Sequence, residues 1–338
     1  MNIALSVLDL APVPSGTTPS EAIRRTVDLA RLAEQRGYAR VWFAEHHGMP
    51  SVASAAPEIL IGHVASATRT IRVGAGGIML PNHTPLKVAE TFRTLEALHP
   101  GRIDLGLGRA PGSDQAASRA LQASDGHDFA EQLAELLAFC GQSAFAANHP
   151  FRKVIAIPDD APLPPVWILG SSGASARLAG SAGMGYSFAS HFSPSPAGPA
   201  FNAYRDSFQA SAQFPRPHAI LGVAAVCAES DEEADHLATT MDLAWLRIRR
   251  GEFSPLPSPE EAQAYPYTEF ERAAIREYRS RSVIGNPQTV SAKLHALAQD
   301  SGADEVMVVS NLHGHAQRLR SYALLADAWA PTHARQAG

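Results

Sequence analysis

The chain has 338 residues, of which 45% are hydrophobic and 18% charged, a composition typical of a globular protein and not of a disordered or fibrous one. Its 28 basic and 33 acidic residues leave a net charge of −5 without a basic stripe, which argues against nucleic-acid binding. The two cysteines, Cys140 and Cys227, form no paired motif, which argues against a disulfide framework or a zinc site and indicates a reducing, cytoplasmic compartment.

The amino-terminal residues 1–8 lack the basic region and long apolar stretch of a signal peptide, and we interpret them as the start of a first strand. No apolar run approaches the roughly 18 residues that span a membrane. The sequence therefore predicts a protein that is not anchored in a membrane.

Short apolar or β-branched runs alternate with amphipathic helical stretches along the chain. The predicted strands are 3–8, 40–44, 71–79, 103–108, 166–169, 185–188, 219–226 and 305–309. The predicted helices are 19–36, 55–68, 85–98, 127–139, 173–182, 196–212, 287–299 and 314–329. Such alternation indicates parallel strands with right-handed crossovers. Eight units favour an α/β fold of the (β/α)8 TIM-barrel type over a doubly wound sheet, which typically has five or six strands.

Three helix starts carry recognisable capping signals. Thr84 and Asn286 each precede a proline, which suits an N-cap followed by proline at the first helical position. Ser230 with Glu233 three residues later predicts a capping box, in a helix outside the eight pairs.

Two segments interrupt the alternation within the predicted single domain 1–338. Residues 141–165 follow the fourth helix, and residues 229–283 lie between the seventh strand and the seventh helix, with a Ser/Pro-rich centre at 254–259. Both are expected near the face that carries the chemistry, where long loops act as lids. A surface embellishment is equally open for the first, whereas we favour a lid or pocket edge for the second.

In (β/α)8 enzymes the active site forms at the carboxyl ends of the strands. Residues 170–173 lead from the fifth strand straight into a helix, where free N–H groups, the helix dipole and serine hydroxyls suit an anion. Arg109, at the end of the neighbouring strand, would add a forked guanidinium to the same phosphate. The alternative is that Ser171 only caps the helix.

Glycines within two other strands have competing interpretations. Gly106 and Gly108 do not complete a dinucleotide fingerprint, because the next glycine comes one position late and Pro111 and Gly112 interrupt the turn. The adjacent glycines at 76–77 indicate either a β-bulge or the close approach of a flat ligand to the backbone.

The triplet Glu45-His46-His47 follows the second strand. Adjacent residues of an extended strand point to opposite faces, so the two histidines are poorly placed to chelate one metal ion, and no metal site is predicted. We instead expect one histidine to face the pocket as a general base or hydrogen-bond donor.

Together these motifs resemble the bacterial luciferase-like family of flavin-dependent oxidoreductases. The resemblance is dense over 1–115, patchier over 165–192, and returns over 283–309. The residues that carry it are 41–47, 80–90, 100–109, 283–287 and 303–307.

The resemblance implies a (β/α)8 barrel that binds reduced FMN, or alternatively the deazaflavin F420, at its carboxyl face. It implies that His46 is catalytic and would assist the formation or breakdown of a flavin peroxide. It also implies a non-prolyl cis peptide between Gly76 and Gly77, beneath the flavin ring. The residues that it assigns to the cofactor phosphate are Arg109, Ser171, Ser172 and Ser175.

The chain departs from the family pattern at two strand ends and in the long insertion. Ser171 replaces an acidic residue of luciferase, and Ser190-His191 replaces a flavin-contacting tryptophan. Because 229–283 does not match luciferase closely, the substrate does not carry over. Asp9 and His191, at the ends of the first and sixth strands, are our candidates for the substrate pocket.

The leading hypothesis is a two-component monooxygenase that oxidises a small organic molecule with O2 and FMNH2. Since no NAD(P)H-binding unit is recognisable, a separate flavin reductase would supply the reduced flavin. The alternatives are F420-dependent hydride transfer, a non-catalytic flavin-binding protein, and an unrelated barrel enzyme acting on a phosphorylated substrate. The resemblance also implies a homodimer, for which helices 55–68 and 85–98 are candidates.

Overall fold

Strands and helices alternate through the part of the chain that the computed structural model describes, residues 3–110 and 112–329. The strands are β1 (Ala4–Asp9), β2 (Arg40–Phe43), β3 (Arg72–Ala75), β4 (Ile78–Met79), β5 (Ile103–Gly108), β6 (Val166–Gly170), β7 (Gly185–Ala189), β8 (Ala219–Cys227), β9 (Ser282–Gly285) and β10 (Glu305–Val309). The helices are α1 (Pro19–Gln35), α2 (Pro57–Ala67), α3 (Pro85–Leu98), α4 (Gln115–Ala120), α5 (Phe129–Phe139), α6 (Gly173–Ser181), α7 (Gly198–Ser207), α8 (Asp231–Arg249), α9 (Pro259–Ala264), α10 (Glu269–Arg279), α11 (Pro287–Ser301) and α12 (His315–Trp329), and a short 3-10 turn covers Leu80–Asn82. Pro111 and the ends of the predicted domain 1–338 lie outside the described residues.

The parallel strands close into a ring. β10 pairs with both β1 and β8, and the remaining barrel strands pair with their neighbours in chain order. β3 and β4 together form the third of eight positions, because β4 pairs with β5. The predicted (β/α)8 barrel is therefore confirmed. None of the helices in the described residues is long and apolar enough to cross a membrane.

The third strand is not continuous as predicted. It stops after Ala75 and resumes at Ile78, and the peptide between Gly76 and Gly77 is cis. Gly76 still donates its N–H to the Phe43 carbonyl of β2 at 2.8 Å. The break is thus a local change of backbone direction within the barrel wall.

The predicted helix starts are in the right places, but their hydrogen bonds differ. Asn286 caps α11 by accepting the N–H three residues on, at 2.9 Å. The Ser230 hydroxyl accepts a hydrogen bond from the N–H of Glu233 at 3.2 Å. The Glu233 carboxylate accepts from the N–H of Glu229 instead of that of Ser230, so the predicted capping box is only half formed. Thr84 is the N-cap residue of α3 but makes no side-chain capping bond.

The two insertions have different structures. Residues 141–165 form no helix or strand, and Arg93 of α3 holds their turn by donating to the carbonyls of Ala156, Asp159 and Ala161 at 2.7–3.0 Å. Residues 229–283 contain α8, α9 and α10 and enter β9, which pairs with β8 outside the ring. β9 was not among the predicted strands; it has only four residues and lies on an outer edge.

Charged side chains fill the amino end of the barrel. Arg40 donates to Asp104 at 2.7 Å and to Glu305 at 2.9 and 3.1 Å, and both carboxylates are completely buried. Ser6 donates to Glu305, and Trp42 donates its indole N–H to Asp104 at 3.0 Å. Burial raises the pKa of both carboxyls, but the Arg40 charge and the hydrogen bonds outweigh it, so the pKa of Asp104 is lowered and that of Glu305 falls to about 2. The network joins four barrel strands.

We predict that Arg40→Ala lowers the free energy of unfolding by about 3–5 kcal/mol, because it leaves two carboxylates buried without their shared cation. Urea unfolding at neutral pH measures the loss. Arg24→Ala is the matched control, since it breaks an exposed pair with Glu21 and should cost less than about 1 kcal/mol. Equal losses in the two variants would show that the network does not stabilise the barrel.

Candidate active site

The carboxyl ends of the barrel strands bring most of the predicted site residues to one face. His46 follows β2, Arg109 follows β5, the serines 171–175 follow β6, and His191 follows β7. Because all of these strands are parallel members of one ring, the side chains rim a common mouth. No group of three or more potential metal-ligating side chains occurs among the described residues.

Glu45 is the most highly connected side chain at this face. Its carboxylate is completely buried and accepts hydrogen bonds from the N–H of Met79 at 2.8 Å, Asn82 at 2.9 Å, His47 at 2.9 Å and His83 at 3.0 Å. Burial raises its pKa, yet the hydrogen bonds and charge of His83 outweigh burial and leave the pKa of Glu45 lowered. Burial lowers the pKa of His83, but the hydrogen bond to Glu45 and the charge of Glu45 outweigh that effect, so the pKa of His83 is raised.

His46 lies beside this carboxylate but does not bond to it. Its backbone N–H donates to the Ser54 carbonyl at 3.0 Å. The Nδ1 atom of its ring is buried with no hydrogen-bond partner among the described residues. Burial lowers the pKa of His46, helped by His47 and opposed by the Glu45 charge. The imidazole is therefore neutral at pH 7, with a polar atom that a ligand can satisfy.

His191 faces His46 across the mouth. Strands β2 and β7 stand four positions apart in a ring of eight, on opposite sides of the barrel. The backbone N–H of His191 donates to the Gly222 carbonyl at 3.1 Å, and the Nδ1 atom of its ring lies 3.4 Å from the same oxygen. A Cβ at position 222 would approach Nδ1 to 3.3 Å, so the glycine makes room for the ring. Burial, with a smaller effect of His46, lowers the pKa of His191 to about 4.

The predicted phosphate residues form two neighbouring groups. Arg109 is exposed and makes no ion pair among the described residues. Ser172 is the N-cap residue of α6 and makes no capping bond, so neither it nor Ser171 satisfies the first N–H groups of the helix. Ser175 donates to the Ser172 carbonyl at 2.9 Å, and Tyr186 donates to the same oxygen at 3.1 Å. The register of β5 with β6 sets Arg109 beside this helix start.

The cis peptide that the family resemblance implied is present between Gly76 and Gly77. Packing explains both glycines. A Cβ on Gly76 would come within 2.9 Å of Leu8 and 3.0 Å of Trp42, and a Cβ on Gly77 would come within 2.8 Å of the Gly106 carbonyl oxygen. Two barrel side chains at Gly76 and a backbone carbonyl at Gly77 therefore require glycine at these positions.

Asp9, our candidate for the substrate pocket, forms an ion pair with α12. It is completely buried, and its carboxylate accepts from Arg318 at 2.7 Å and from the N–H of Ala11 at 2.8 Å. Arg318 of α12 is itself buried and also donates to the Ser310 carbonyl at 2.8 Å. Asp9 therefore joins β1 to α12 through one carboxylate oxygen, whereas its Oδ2 atom is buried with no hydrogen-bond partner among the described residues, and its place in a substrate pocket stays a prediction.

The centre of the second insertion lies at the rim. Pro14, in the loop after β1, forms a bridge with Leu256, and hydrogen bonds of 2.8 Å run from Leu256 to Val13 and from Ser15 to Leu256. On the other side of the same loop, Pro12 forms a bridge with Val52. The 229–283 segment thus contributes an edge of the mouth.

Sequence reasoning did not single out Glu45, His83 or Tyr186 as functional. Glu45 was considered only within the triplet that argued against a metal site. The sequence did contain a signal for the pairing of Glu45 with His83, because these two residues follow neighbouring strands of the predicted barrel. Tyr186 gave no signal, because a tyrosine in a buried strand is ordinarily part of the core.

Comparisons with known proteins agree over the whole barrel. The family model described as luciferase-like monooxygenase matches residues 3–305. The uncharacterised protein YvbT of Bacillus subtilis is 47% identical over 96% of both chains, and a luciferase-like monooxygenase of Escherichia coli K12 is 43% identical over 96% of both chains. The crystal structure of apo-MsnO8 is similar, with a TM-score of 0.88 and 39% identity, and the match covers 97% of this chain and 98% of that chain.

Two more distant structures share the fold. The oxygenating constituent of 3,6-diketocamphane monooxygenase from Pseudomonas putida, in complex with FMN, has a TM-score of 0.72 at 18% identity, covering 98% and 99% of the chains. An F420-dependent secondary alcohol dehydrogenase, in complex with an F420-acetone adduct, has a TM-score of 0.70 at 13% identity, covering 98% and 100%. At these identities the likeness establishes the barrel architecture alone.

The lowered pKa of His191 predicts how stability depends on pH. Between about 6.5 and about 4 the unfolded chain binds a proton that the folded chain rejects. The stability that neutral His191 contributes is thus fully present above pH 6.5 and is lost as the pH falls towards 4. In His191→Asn we expect a shallower loss of the free energy of unfolding over this range, measured by urea titration at each pH. His127→Asn, at an exposed histidine, is the control, and an unchanged slope in His191→Asn would contradict the prediction.

Proposed function

The chain belongs to the luciferase-like monooxygenase family, and we propose that it is the oxygenase of a two-component system, taking FMNH2 from a separate flavin reductase and oxidising a small organic molecule with O2. The observation that carries the proposal is the pairing of features at one mouth. An unpaired guanidinium and an uncapped helix start stand at one side, and a neutral imidazole with an unsatisfied nitrogen stands at another.

The phosphate end of the cofactor would bind between Arg109 and the start of α6. A guanidinium offers two parallel N–H donors to a phosphate, and the first N–H groups of a helix add further donors and a favourable dipole. Ser172 and Ser175 have hydroxyls beside this helix start. The bond from Tyr186 to the Ser172 carbonyl holds the turn in this conformation.

The isoalloxazine ring would then extend over the mouth towards His46. When bound, FMNH2 supplies the electrons that activate O2. The chain itself orients the ring, excludes water and moves a proton. Neutral His46 suits that last task because its Nδ1 atom is buried without a partner in the described residues, so either a donor or an acceptor on a ligand improves its hydrogen bonding.

The packing of the glycines of β5 supports the proposal of a separate reductase. Gly106 and Gly108 are buried in the barrel wall, where Met79 and Leu169 pack against them, and they do not open a helix that would bind a dinucleotide phosphate. We therefore propose that electrons arrive as free reduced flavin in the cytoplasm.

We also propose a homodimer through α2 and α3. These helices contact one another, and each leaves one large apolar side chain exposed, Ile59 at 68% and Leu98 at 66%. Burying such side chains against a second copy is favourable.

The second candidate function is F420-dependent hydride transfer. It is supported by the F420-dependent dehydrogenase of the same fold, because F420, like FMN, carries a phosphate at the end of the side chain of a tricyclic ring system. The two candidates differ in their use of oxygen. His46 would act in both as a neutral hydrogen-bonding group.

Anaerobic titration with FMNH2 and, separately, with reduced F420 tests the proposal. We expect FMNH2 to bind, because the mouth offers a phosphate site and a ring site. On admission of air we expect a transient absorbance distinct from that of reduced and oxidised flavin. Binding of F420 without an effect of oxygen would favour hydride transfer, and binding of neither would reject the site.

A matched variant and ligand isolate the phosphate contact in this experiment. Arg109→Ala should weaken FMNH2 binding roughly 10- to 100-fold, since charge-assisted hydrogen bonds contribute about 1.5–3 kcal/mol. Reduced riboflavin has the same ring but no phosphate, so its affinity should be equal in wild type and variant. An equal loss for both ligands would place Arg109 elsewhere than at the phosphate.

His46→Ala distinguishes an enzyme from a flavin-binding protein without turnover. If His46 transfers a proton, the variant should bind FMNH2 as tightly as wild type and lose substrate oxidation roughly 10²- to 10⁴-fold. Flavin affinity and product formation are measured side by side on the same preparations. Absence of oxidation in the wild type as well would favour the binder.

A further inference from the structure

The Glu45 carboxylate accepts hydrogen bonds from two segments of the proposed site. Its own segment contributes His47, while the segment after the cis peptide contributes the N–H of Met79 and the side chains of Asn82 and His83. These four groups use both oxygens of a carboxylate that has no exposed surface. The carboxylate is therefore a rigid link between the ends of β2 and β4.

A third segment packs on the same residue. The backbone carbonyl of Gly112, three positions beyond Arg109, accepts a hydrogen bond from the backbone N–H of His47 at 3.2 Å. Its φ of +62° is in the left-handed region, and a Cβ there would lie 2.6 Å from the Glu45 carbonyl oxygen. The loop that begins with Arg109 is thus held against the main chain of Glu45.

Other contacts also hold the barrel together. Arg40 and its partners join the strands at the opposite end, and the Asp9–Arg318 pair attaches α12. Three of the four partners of Glu45, namely His47, Asn82 and His83, lie beyond the strands, and the fourth, Met79, is the last residue of β4. Burying a carboxylate is costly, so its retention with this set of donors calls for a role at the mouth.

Resting on the proposed function, we propose that Glu45 is the positioning residue of the site: it holds the main chain at His46 and the Gly76–Gly77 backbone in one fixed arrangement relative to Arg109. It touches neither the cofactor nor the substrate. It acts through Met79, which is two residues beyond Gly77, and through its own neighbour His46. Its negative charge also opposes the effect of burial on His46 and keeps His83 protonated over a wider pH range.

Two substitutions separate the charge of Glu45 from its reach. Glu45→Gln keeps the shape but replaces one acceptor oxygen with an NH2 donor, which must oppose at least one of the present donors. Glu45→Asp keeps the charge but draws the carboxylate back by one methylene, away from Met79 and Asn82. Glu96→Gln is the control, because Glu96 is another buried carboxylate with a backbone partner, the N–H of Gly101, and it lies on α3 at the end distant from the mouth.

The first readout uses the protein without cofactor. NMR titration of the histidine Cε1–H signals should show a lower pKa for His46 and His83 in Glu45→Gln than in wild type, because the anion that favours their charged forms is gone. Glu45→Asp should restore both pKa values towards those of wild type, and Glu96→Gln should leave them unchanged. Unchanged titration of His46 and His83 in Glu45→Gln would overturn the proposal.

The second readout is the affinity for FMNH2 under anaerobic conditions. Both Glu45 variants should bind roughly 10- to 100-fold more weakly than wild type, because a displaced Arg109 would lose its charge-assisted hydrogen bonds to the phosphate. Thermal unfolding checks that their stability matches that of Glu96→Gln, and Glu45→Asp decides the question if Glu45→Gln does not fold. Wild-type affinity in Glu45→Asp would overturn the positioning role. Failure of the wild type to bind FMNH2 would reject the proposed function alone, and the histidine titration would still test Glu45.

Discussion

The barrel depends on a set of charges buried at its amino end. Arg40 is shared by Asp104 and Glu305, so residues far apart in sequence must come to one point. A buried charge without a partner is far more costly than an apolar residue in the same place. Only a register in which β2, β5 and β10 bring these groups together satisfies all of them, and this requirement specifies how the ring closes. The Arg40 guanidinium also lies 4.7 Å from the ring centre of Trp167, which covers it from inside the barrel.

The two ends of the same barrel have opposite electrostatic character. At the amino end each charged group has its partner, and the interior is closed. At the carboxyl end the Arg109 side chain has no ion pair and His46 Nδ1 has no hydrogen bond within the described residues. The buried, unsatisfied His46 nitrogen costs stability, whereas the exposed Arg109 guanidinium is hydrated. The carboxyl end thus differs from the amino end in leaving polar groups available.

Glycines and bulky residues share the interior between these ends. Gly76 leaves the space that Leu8 and Trp42 occupy, and Gly222 leaves the space beside His191. For Gly76 and Gly77 the sequence left open a β-bulge or the close approach of a flat ligand. The structure gives the packing explanation at both positions, and at Gly222 that packing also places an imidazole at the mouth.

Periodicity along the chain was sufficient to predict the barrel and its eight strand positions, because alternating strands and helices of this length permit few topologies. Strand ends also placed His46 and Arg109 at one face. The sequence did not reveal β9, the pairing of Asp9 with Arg318, or the four donors around Glu45. These features depend on contacts between segments distant in the chain. In the sequence alone, a carboxylate at a strand end gives the same signal whether it faces a substrate or a buried arginine. Only the tertiary structure decides between them, because it determines which partner is within hydrogen-bonding distance.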